Sequence, residues 1–133
     1  MKGQSSLEYF VIIGIVIIAI SVVANLAWQE NETSTRVHKA NIAVNSIAAT
    51  ADNLYAQGPG AKTTLNIIVP SGYSSTTSSI GNKQIVFSLS TPGGNMDIIA
   101  LTKANISGSP PTGPGMRIIV LETIEGFVNI SSS

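Results

Sequence analysis

The pattern of hydrophobic and polar positions divides this chain into three parts, and the first is a long apolar stretch. Tyr9–Trp28 contains twenty residues without a formal charge, and half of them are Val or Ile. About twenty apolar residues are enough for a helix to cross the hydrocarbon core of a bilayer. β-Branched residues are mediocre helix formers in water, but in lipid every backbone N–H and C=O must be bonded within the segment. Because no proline interrupts the stretch, it predicts one continuous membrane-spanning helix.

The second part is an amphipathic stretch over residues 34–56, in which apolar positions recur at spacings of three and four. The polar stretch Asn31–Thr35 precedes it and predicts the place where the helix enters water or bends. Because the period is helical on both sides, we expect one long helix over residues 4–57, whose second part lies against a β domain. A separate coiled coil is disfavoured by fewer than three heptads and no e/g charge pattern. The stripe consists of Val37, Ala40, Val44, Ile47, Ala51 and Leu54, and alanines at 40, 43, 48, 49 and 51 allow close packing.

The third part, residues 61–133, consists of short β-branched runs separated by Gly, Pro and Asn, a pattern typical of strands. The Gly58-Pro59-Gly60 sequence before it predicts the end of the helix. The predicted fold is therefore α+β, with one long N-terminal helix followed by a small antiparallel β-sheet or sandwich. The predicted strands are Thr63–Val69, Tyr73–Ile80, Lys83–Ser90, Met96–Thr102, Met116–Thr123 and Phe127–Ile130.

The connections between these strands carry their own signals. Gly81-Asn82 suits a two-residue type II′ turn, because Gly occupies the first central position. Residues 91–95 and Glu125-Gly126 predict two further hairpins, and Asn105–Gly115, which is rich in Pro and Gly, predicts a long loop. The serine- and threonine-rich run Tyr73–Ser79 fits a solvated edge strand, or alternatively an exposed strand that carries O-glycans or packs laterally.

Composition limits the partners and the chemistry of the chain. Seven basic and seven acidic residues give no formal net charge, and no basic block suggests nucleic acid as a partner. Cysteine is absent, so disulfides and thiolate chemistry are excluded. The single histidine, His38, lies beside the predicted helical stripe, and the carboxylates are scattered. We therefore predict no catalytic residues, no metal site, no cofactor and no enzymatic activity.

One carboxylate, Glu8, stands at the edge of the apolar stretch, where an unpaired charge is costly and a functional role is the first hypothesis. Just before it comes a short basic leader that ends in glycine, Met1-Lys2-Gly3, followed by Gln4-Ser5-Ser6-Leu7-Glu8-Tyr9-Phe10. This order of basic residue, Gly, Gln, Glu and apolar stretch resembles the class III signal peptide of archaeal type IV pilins. The motif covers roughly the first thirty residues, and the remainder is similar in architecture alone.

The resemblance implies that a prepilin peptidase removes residues 1–3 by cutting between Gly3 and Gln4. Glu8 would then pair with the new α-ammonium of Gln4, in the same or a neighbouring subunit, and set the register of assembly. The resemblance also implies a surface filament of identical subunits used for adhesion, in which the helices form the core and the β headgroups form the wall. Its further partners would be the membrane before assembly, an assembly ATPase and a membrane platform protein.

Other interpretations of the N-terminus remain open. Glu8 could lie at headgroup depth as a solvated flank of the helix. An ordinary secretory signal has a shorter apolar region and a small-x-small cleavage site, for which Val22-Val23-Ala24 is a weak match. An uncleaved anchor is the stronger alternative, and Lys2 favours a cytoplasmic N-terminus. The alternative function is accordingly a membrane-anchored β domain that binds a ligand, or a minor tip pilin or adhesin.

Three Asn-x-Ser/Thr triplets are candidate N-glycosylation sites in a surface protein. They begin at Asn31, Asn105 and Asn129. The frequencies of Asn, Ser and Thr alone produce about two such triplets in a chain of this length. Three triplets are therefore weak support for glycosylation, which exposure on a cell surface would strengthen.

Overall fold

The structure is a computed structural model that describes residues 2–132, and it confirms the α+β fold. One helix is followed by seven strands that form a single sheet. The six predicted strands are present, with ends within two residues of those expected. The elements are α1 (Lys2–Gln57), β1 (Lys62–Val69), β2 (Tyr73–Gly81), β3 (Gln84–Thr91), β4 (Gly94–Leu101), β5 (Ile106–Gly108), β6 (Gly115–Ile124) and β7 (Phe127–Ser132).

Two compact units divide the chain between Ser34 and Thr35, so the helix contributes to both. The N-terminal unit, up to Ser34, is helical throughout its described residues. The polar stretch Asn31–Thr35 is helical too, so the helix continues through the place where it was expected to enter water or bend. The C-terminal unit, from Thr35 onward, contains the rest of α1 and the whole sheet.

The helix ends where the glycine signal predicted. Gly58 follows the last helical residue with a φ of 96°, a left-handed conformation that glycine adopts without steric cost. Its N–H donates to the Tyr55 carbonyl at 3.2 Å, which bonds one carbonyl of the last helical turn. Pro59 then prevents the helix from continuing.

The sheet has the strand order β1-β6-β7-β5-β2-β3-β4 and is mixed. All pairs are antiparallel except β5 and β7, which run parallel with Ile106 opposite Val128. The prediction of a loop over residues 105–115 was wrong at Ile106–Gly108, which form β5. Three residues are too few to show alternation, and β5 forms because β7 and β2 lie on either side of it.

The turn between β2 and β3 is one residue later than predicted. Its central residues are Asn82 and Lys83, with φ values of 52° and 61°, and Gly81 pairs with Gln84 across it. Positive φ at both positions is the signature of a type I′ turn, so the type II′ prediction was wrong. Asn82 tolerates this conformation well, whereas Lys83 adopts it at a steric cost.

The serine- and threonine-rich strand β2 lies inside the strand order, which corrects the prediction of an edge strand. A bulge between Ser74 and Ser79 turns Ser78 inward, where its hydroxyl donates to the Ser74 carbonyl at 2.5 Å and accepts from the Ser88 N–H at 3.0 Å. These bonds satisfy the polar side chain and allow burial. Pairing with β5 involves only Ile80 and Gly81, so the rest of β2 pairs with β3 alone among the described strands.

The core of the C-terminal unit lies between the helix and one face of the sheet. Each residue of the predicted stripe is buried, except Val37, which is partly buried against the core. Of the five alanines expected to face the sheet, Ala49 is exposed, and that part of the prediction was wrong. The largest fully buried side chains from the sheet are Phe87, Ile85, Leu89, Ile119, Leu121 and Ile130.

Three hydrogen bonds join the helix to the sheet side of this unit, in addition to the apolar contacts. The Asp52 carboxylate accepts from the backbone N–H groups of Lys103 at 2.9 Å and Ala104 at 3.0 Å. The Thr123 hydroxyl donates to the Leu54 carbonyl at 3.1 Å. Since bonds to charged groups are stronger than neutral ones, Asp52 fixes the segment between β4 and β5 to the helix. Asp52 is one of the carboxylates that are scattered along the sequence, and no local pattern predicted this contact.

Tyr73 fixes the segment between β5 and β6 in a similar way. Its hydroxyl donates to the Pro111 carbonyl at 2.9 Å, and its ring packs edge-on against Phe87 with centroids 5.1 Å apart. Burial raises the pKa of Tyr73, which a hydrogen bond with Ser78 partly offsets. The proline-rich segment is therefore held by a buried, neutral phenol.

Candidate membrane and assembly site

Within its described residues, the N-terminal unit exposes all of its large apolar side chains. From Leu7 to Trp28 these side chains are 49–80% exposed, and none is buried. A soluble monomer rarely exposes a contiguous apolar patch larger than a few hundred Å². This surface surrounds the helix rather than forming a stripe, which is typical of a helix that spans a membrane or lies in the core of a large protein.

Helix α1 is long and apolar enough to cross a membrane, and its most apolar window contains no buried residue. This confirms the prediction of a long apolar N-terminal helix that is compatible with membrane insertion. The helical backbone bonds its own N–H and C=O groups, which is the condition for a segment in hydrocarbon.

Glu8 is exposed on the first turns of this helix, among apolar neighbours. Leu7, Val11 and Ile12 line a shallow surface depression together with Glu8. Gln4 is exposed one turn earlier, and residues four apart share a helix face. The structure therefore places the two predicted assembly residues, Gln4 and Glu8, on one side of the helix.

The predicted cleavage site lies at the start of this helix. Gly3 and Gln4 are both helical and exposed, and nothing lies within 4 Å of the position that a Cβ on Gly3 would occupy. The space around this peptide within the chain is open. The first residue of the predicted leader, Met1, lies outside the described residues.

The three candidate glycosylation sites differ in their surroundings. Asn31 is exposed on helix α1, Asn105 is exposed just before β5, and Asn129 is half-buried in β7. Because β5 and β7 pair with Ser107 opposite Asn129, two of the triplets lie side by side on neighbouring strands. This proximity was not predictable from the sequence pattern, because strand β5 was not predicted.

The remaining candidate chemistry is dispersed. Among residues 2–132, no group of three or more His, Cys, Asp or Glu side chains is placed to hold a metal ion. His38 and Lys39 are exposed neighbours on the helix, and Asp52 is bonded to backbone N–H groups. The apolar helix with its single early carboxylate is consequently the most distinctive candidate site.

Comparison of the chain with models of protein families, with curated proteins and with solved structures found no match. The function of this chain is therefore inferred from its own residues and geometry.

Proposed function

We propose that this chain is a structural subunit of a surface filament of the archaeal type IV pilin kind. The observation that carries the proposal is the helix up to Ser34, which exposes all of its large apolar side chains and has one carboxylate near its start. Such a helix is stable either in lipid or in a bundle of similar helices. The chain would occupy the membrane first and the filament core afterwards.

The surface of the helix supports packing against other helices. Ala19, Ala24 and Ala27 line a shallow apolar groove together with Ile20 and Val23. Small residues at helical spacing let neighbouring backbones approach closely, which favours association between helices in an apolar environment. The groove thus provides a contact surface of the kind that a helical filament core requires.

Glu8 gives the bundle a defined register. A carboxylate that enters an apolar core is strongly destabilising unless a cation pairs with it. Cleavage after Gly3 would create that cation as the α-ammonium of Gln4, on the same helix face as Glu8. Glu8 would pair with the amine of the same or an adjacent subunit. Any register of the helices that buried Glu8 without this amine would be destabilised, because its carboxylate would have no cation.

The proposed route follows from these requirements. The precursor inserts with its N-terminus in the cytoplasm, and a prepilin peptidase removes residues 1–3. An assembly ATPase and a platform protein then transfer the helix from the membrane into the filament, with the C-terminal units on the outside. Adhesion to surfaces is the function proposed for the finished filament.

The proposal is tested by comparing Glu8→Gln with Glu30→Gln in the native cell. Glu8→Gln removes the charge that the new amine would pair with, so filaments seen by electron microscopy should be lost while the protein stays in the membrane fraction. Glu30→Gln removes the next acid, beyond the apolar stretch, and should leave filaments intact. Normal filaments from the Glu8→Gln chain would contradict the pairing.

Processing is tested separately by intact mass spectrometry of the mature chain. The wild type should begin at Gln4, and Gly3→Val should retain the leader because the small residue before the cut is lost. Gly14→Ala, which alters a helix glycine outside the leader, should be processed normally. A wild-type protein that keeps Met1 and remains a dispersed membrane monomer would favour the anchored binding domain instead.

A further inference from the structure

The two edges of the sheet are long, regular strands. β1 and β4 end the strand order, and each has eight residues that pair with their single described neighbour without a register shift. Proteins usually protect such edges with bulges, proline or central charges. Neither β1 nor β4 contains a bulge or a proline, and Lys62 lies at the start of β1. Asp97, near the middle of β4, is the one charge in that strand, so a strand added there must place a neutral or basic residue opposite it.

On β4, the free backbone groups belong to residues whose side chains lie on the helix-free face. The Thr102 N–H bonds to the Lys83 carbonyl at 2.9 Å, so the alternating residues Ala100 and Ile98 bond toward β3. Ile98 and Ala100 are also the buried positions. Asp97, Ile99 and their alternate neighbours therefore direct their N–H and C=O groups away from the sheet.

The same alternation holds on β1. The Thr123 N–H bonds to the Ala61 carbonyl at 2.8 Å, which assigns the odd-numbered residues, including the buried Ile67 and Val69, to the β6 side. Thr64, Asn66 and Ile68 then direct their backbone groups outward. Their side chains share the helix-free face with those of Asp97 and Ile99. If β1 of one copy pairs with β4 of another, the α1 helices of the two copies therefore lie on the same face of the joined sheet.

The strand directions also match. Through the successive pairings, one of which is parallel, β1 and β4 run in opposite directions. A second copy in the same orientation therefore presents its β1 antiparallel to β4. In the proposed filament, all subunits pack through the same N-terminal helix and therefore share one orientation. In this respect the inference rests on the proposed function.

A full eight-residue overlap brings specific side chains together. It places Asp97 opposite Asn66 and Met96 opposite Ile67 of the second copy. Met96 is 41% exposed although it belongs to the row that faces the helix. A groove lies between α1 and β1, and Met96 of the first copy would enter this groove of the second copy. The groove is lined by Lys39, Ile42, Ala43, Ser46, Asn66, Ile67 and Ile68.

We propose that β4 of one subunit pairs antiparallel with β1 of the next, so that the sheet continues between C-terminal units and Met96 fills the groove beside β1. The contact is heterologous, because β4 of one copy meets β1 of the next and the two surfaces differ. A heterologous contact extends into a chain of subunits rather than stopping at a dimer.

Cysteine cross-linking of the full-length protein, in its membrane or in isolated filaments, distinguishes this contact from others. The natural chain has no cysteine, so all thiols are the introduced ones. Asn66→Cys with Asp97→Cys in one chain should give a ladder of oligomers with a short bismaleimide. Each single variant should give at most dimers. The matched pair Asn66→Cys with Ser79→Cys, whose second thiol is on the inner strand β2, should give no ladder.

A lysine introduced at the edge provides a second test. In the Asn66→Cys and Asp97→Cys background, Ile99→Lys places a charge on β4 and should abolish the ladder. Met116→Lys, at a more exposed position on the inner strand β6, should preserve it. Far-ultraviolet circular dichroism checks that both variants stay folded.

The two proposals fail in different ways. Filaments without a cross-linked ladder would overturn the β4–β1 contact and leave the pilin function standing. Loss of the ladder in Met116→Lys together with Ile99→Lys would also overturn the specific contact. A ladder from membranes that never produce filaments would support edge pairing while contradicting the proposed filament.

Discussion

The two halves of helix α1 differ in how far their side chains are buried, and the more hydrophobic half is the less buried one. The half up to Ser34 has the larger and more apolar side chains, yet none of them is buried. The half from Thr35 is rich in alanine and polar residues, yet Ala40, Val44 and Ile47 are completely buried. The more apolar half is thus the one whose large apolar side chains are exposed.

The difference shows that periodicity, more than hydrophobicity, directs packing within one chain. The second half restricts its apolar residues to a stripe, which one face of a sheet can cover. The first half is apolar on all sides, and no single sheet could cover it. Such a surface is compatible with insertion of the helix into a membrane.

The largest effect we expect comes from comparing a glycine in each region. A Cβ at Gly108 would lie 1.9 Å from the Ile130 carbonyl oxygen in the parallel β5–β7 pair, whereas a Cβ at Gly14 meets nothing within 4 Å. Gly108→Ala should lower the free energy of unfolding of the C-terminal unit by about 4 kcal/mol or more, in the exceptional range for one substitution. Gly14→Ala should leave it unchanged. Urea denaturation in detergent measures both, and a mild Gly108→Ala would contradict the close pairing.

Truncation of one isoleucine in each half of the helix should separate the two kinds of apolar surface. Ile47 is fully buried and Ile17 is 57% exposed. Ile47→Ala should cost about 3 kcal/mol of unfolding free energy, because it removes buried methyl groups and leaves a cavity. Ile17→Ala should leave the unfolding of the C-terminal unit unaffected. Equal effects would show that the two units do not unfold independently.

Tyr73 should make the C-terminal unit sensitive to alkaline pH. Burial raises the pKa of Tyr73 in the folded chain above its ordinary value of about 10. Above that pH the unfolded chain releases the proton and the folded chain retains it, so the free energy of unfolding falls as pH rises. Below pH about 10, Tyr73 is protonated in both states, and the free energy of unfolding should not yet be reduced by its ionisation. Denaturation across alkaline pH measures this slope.

The variant Tyr73→Phe gives the matched control. It leaves the Pro111 carbonyl without its donor, which should cost about 1–2 kcal/mol near neutral pH. It should also reduce the alkaline loss of stability, because the buried group that titrates is gone. A slope that persists unchanged in Tyr73→Phe would assign the pH dependence to other groups.

The smallest effect concerns the turn between β2 and β3, and it has the opposite sign. Lys83 has a φ of 61°, which glycine adopts without the penalty that other residues incur. Lys83→Gly should therefore stabilise the C-terminal unit by about 0.5–1 kcal/mol. Gln84→Gly, one residue later in strand β3, should destabilise it by a similar amount of about 0.5–1 kcal/mol. A destabilising Lys83→Gly would show that the Lys83 side chain contributes more than its backbone costs.

Much of the fold was predictable because its signals are local. The apolar stretch, the helical stripe and the glycine at position 58 define the helix and its end. Alternation and turn residues placed six strands nearly correctly. Strand β5 was missed since its three residues carry no pattern, and it exists because two other strands flank it. Among the candidate sites, the alignment of Gln4 with Glu8 was implicit in their spacing, whereas the proximity of the Asn105 and Asn129 triplets depended on β5.

The sequence by itself determined the fold class, the apolar helix and the isolated carboxylate Glu8, because periodicity and composition act over neighbouring residues. Only the tertiary structure decided that β2 is internal, that Asp52 binds backbone N–H groups across the unit, and that β1 and β4 are the edges. Local turn residues predicted the hairpin neighbours, but the pairs β1–β6, β5–β7 and β2–β5 join residues far apart in the chain, and no local pattern encodes them. The positions of β1 and β4 at the edges of the sheet follow from that order.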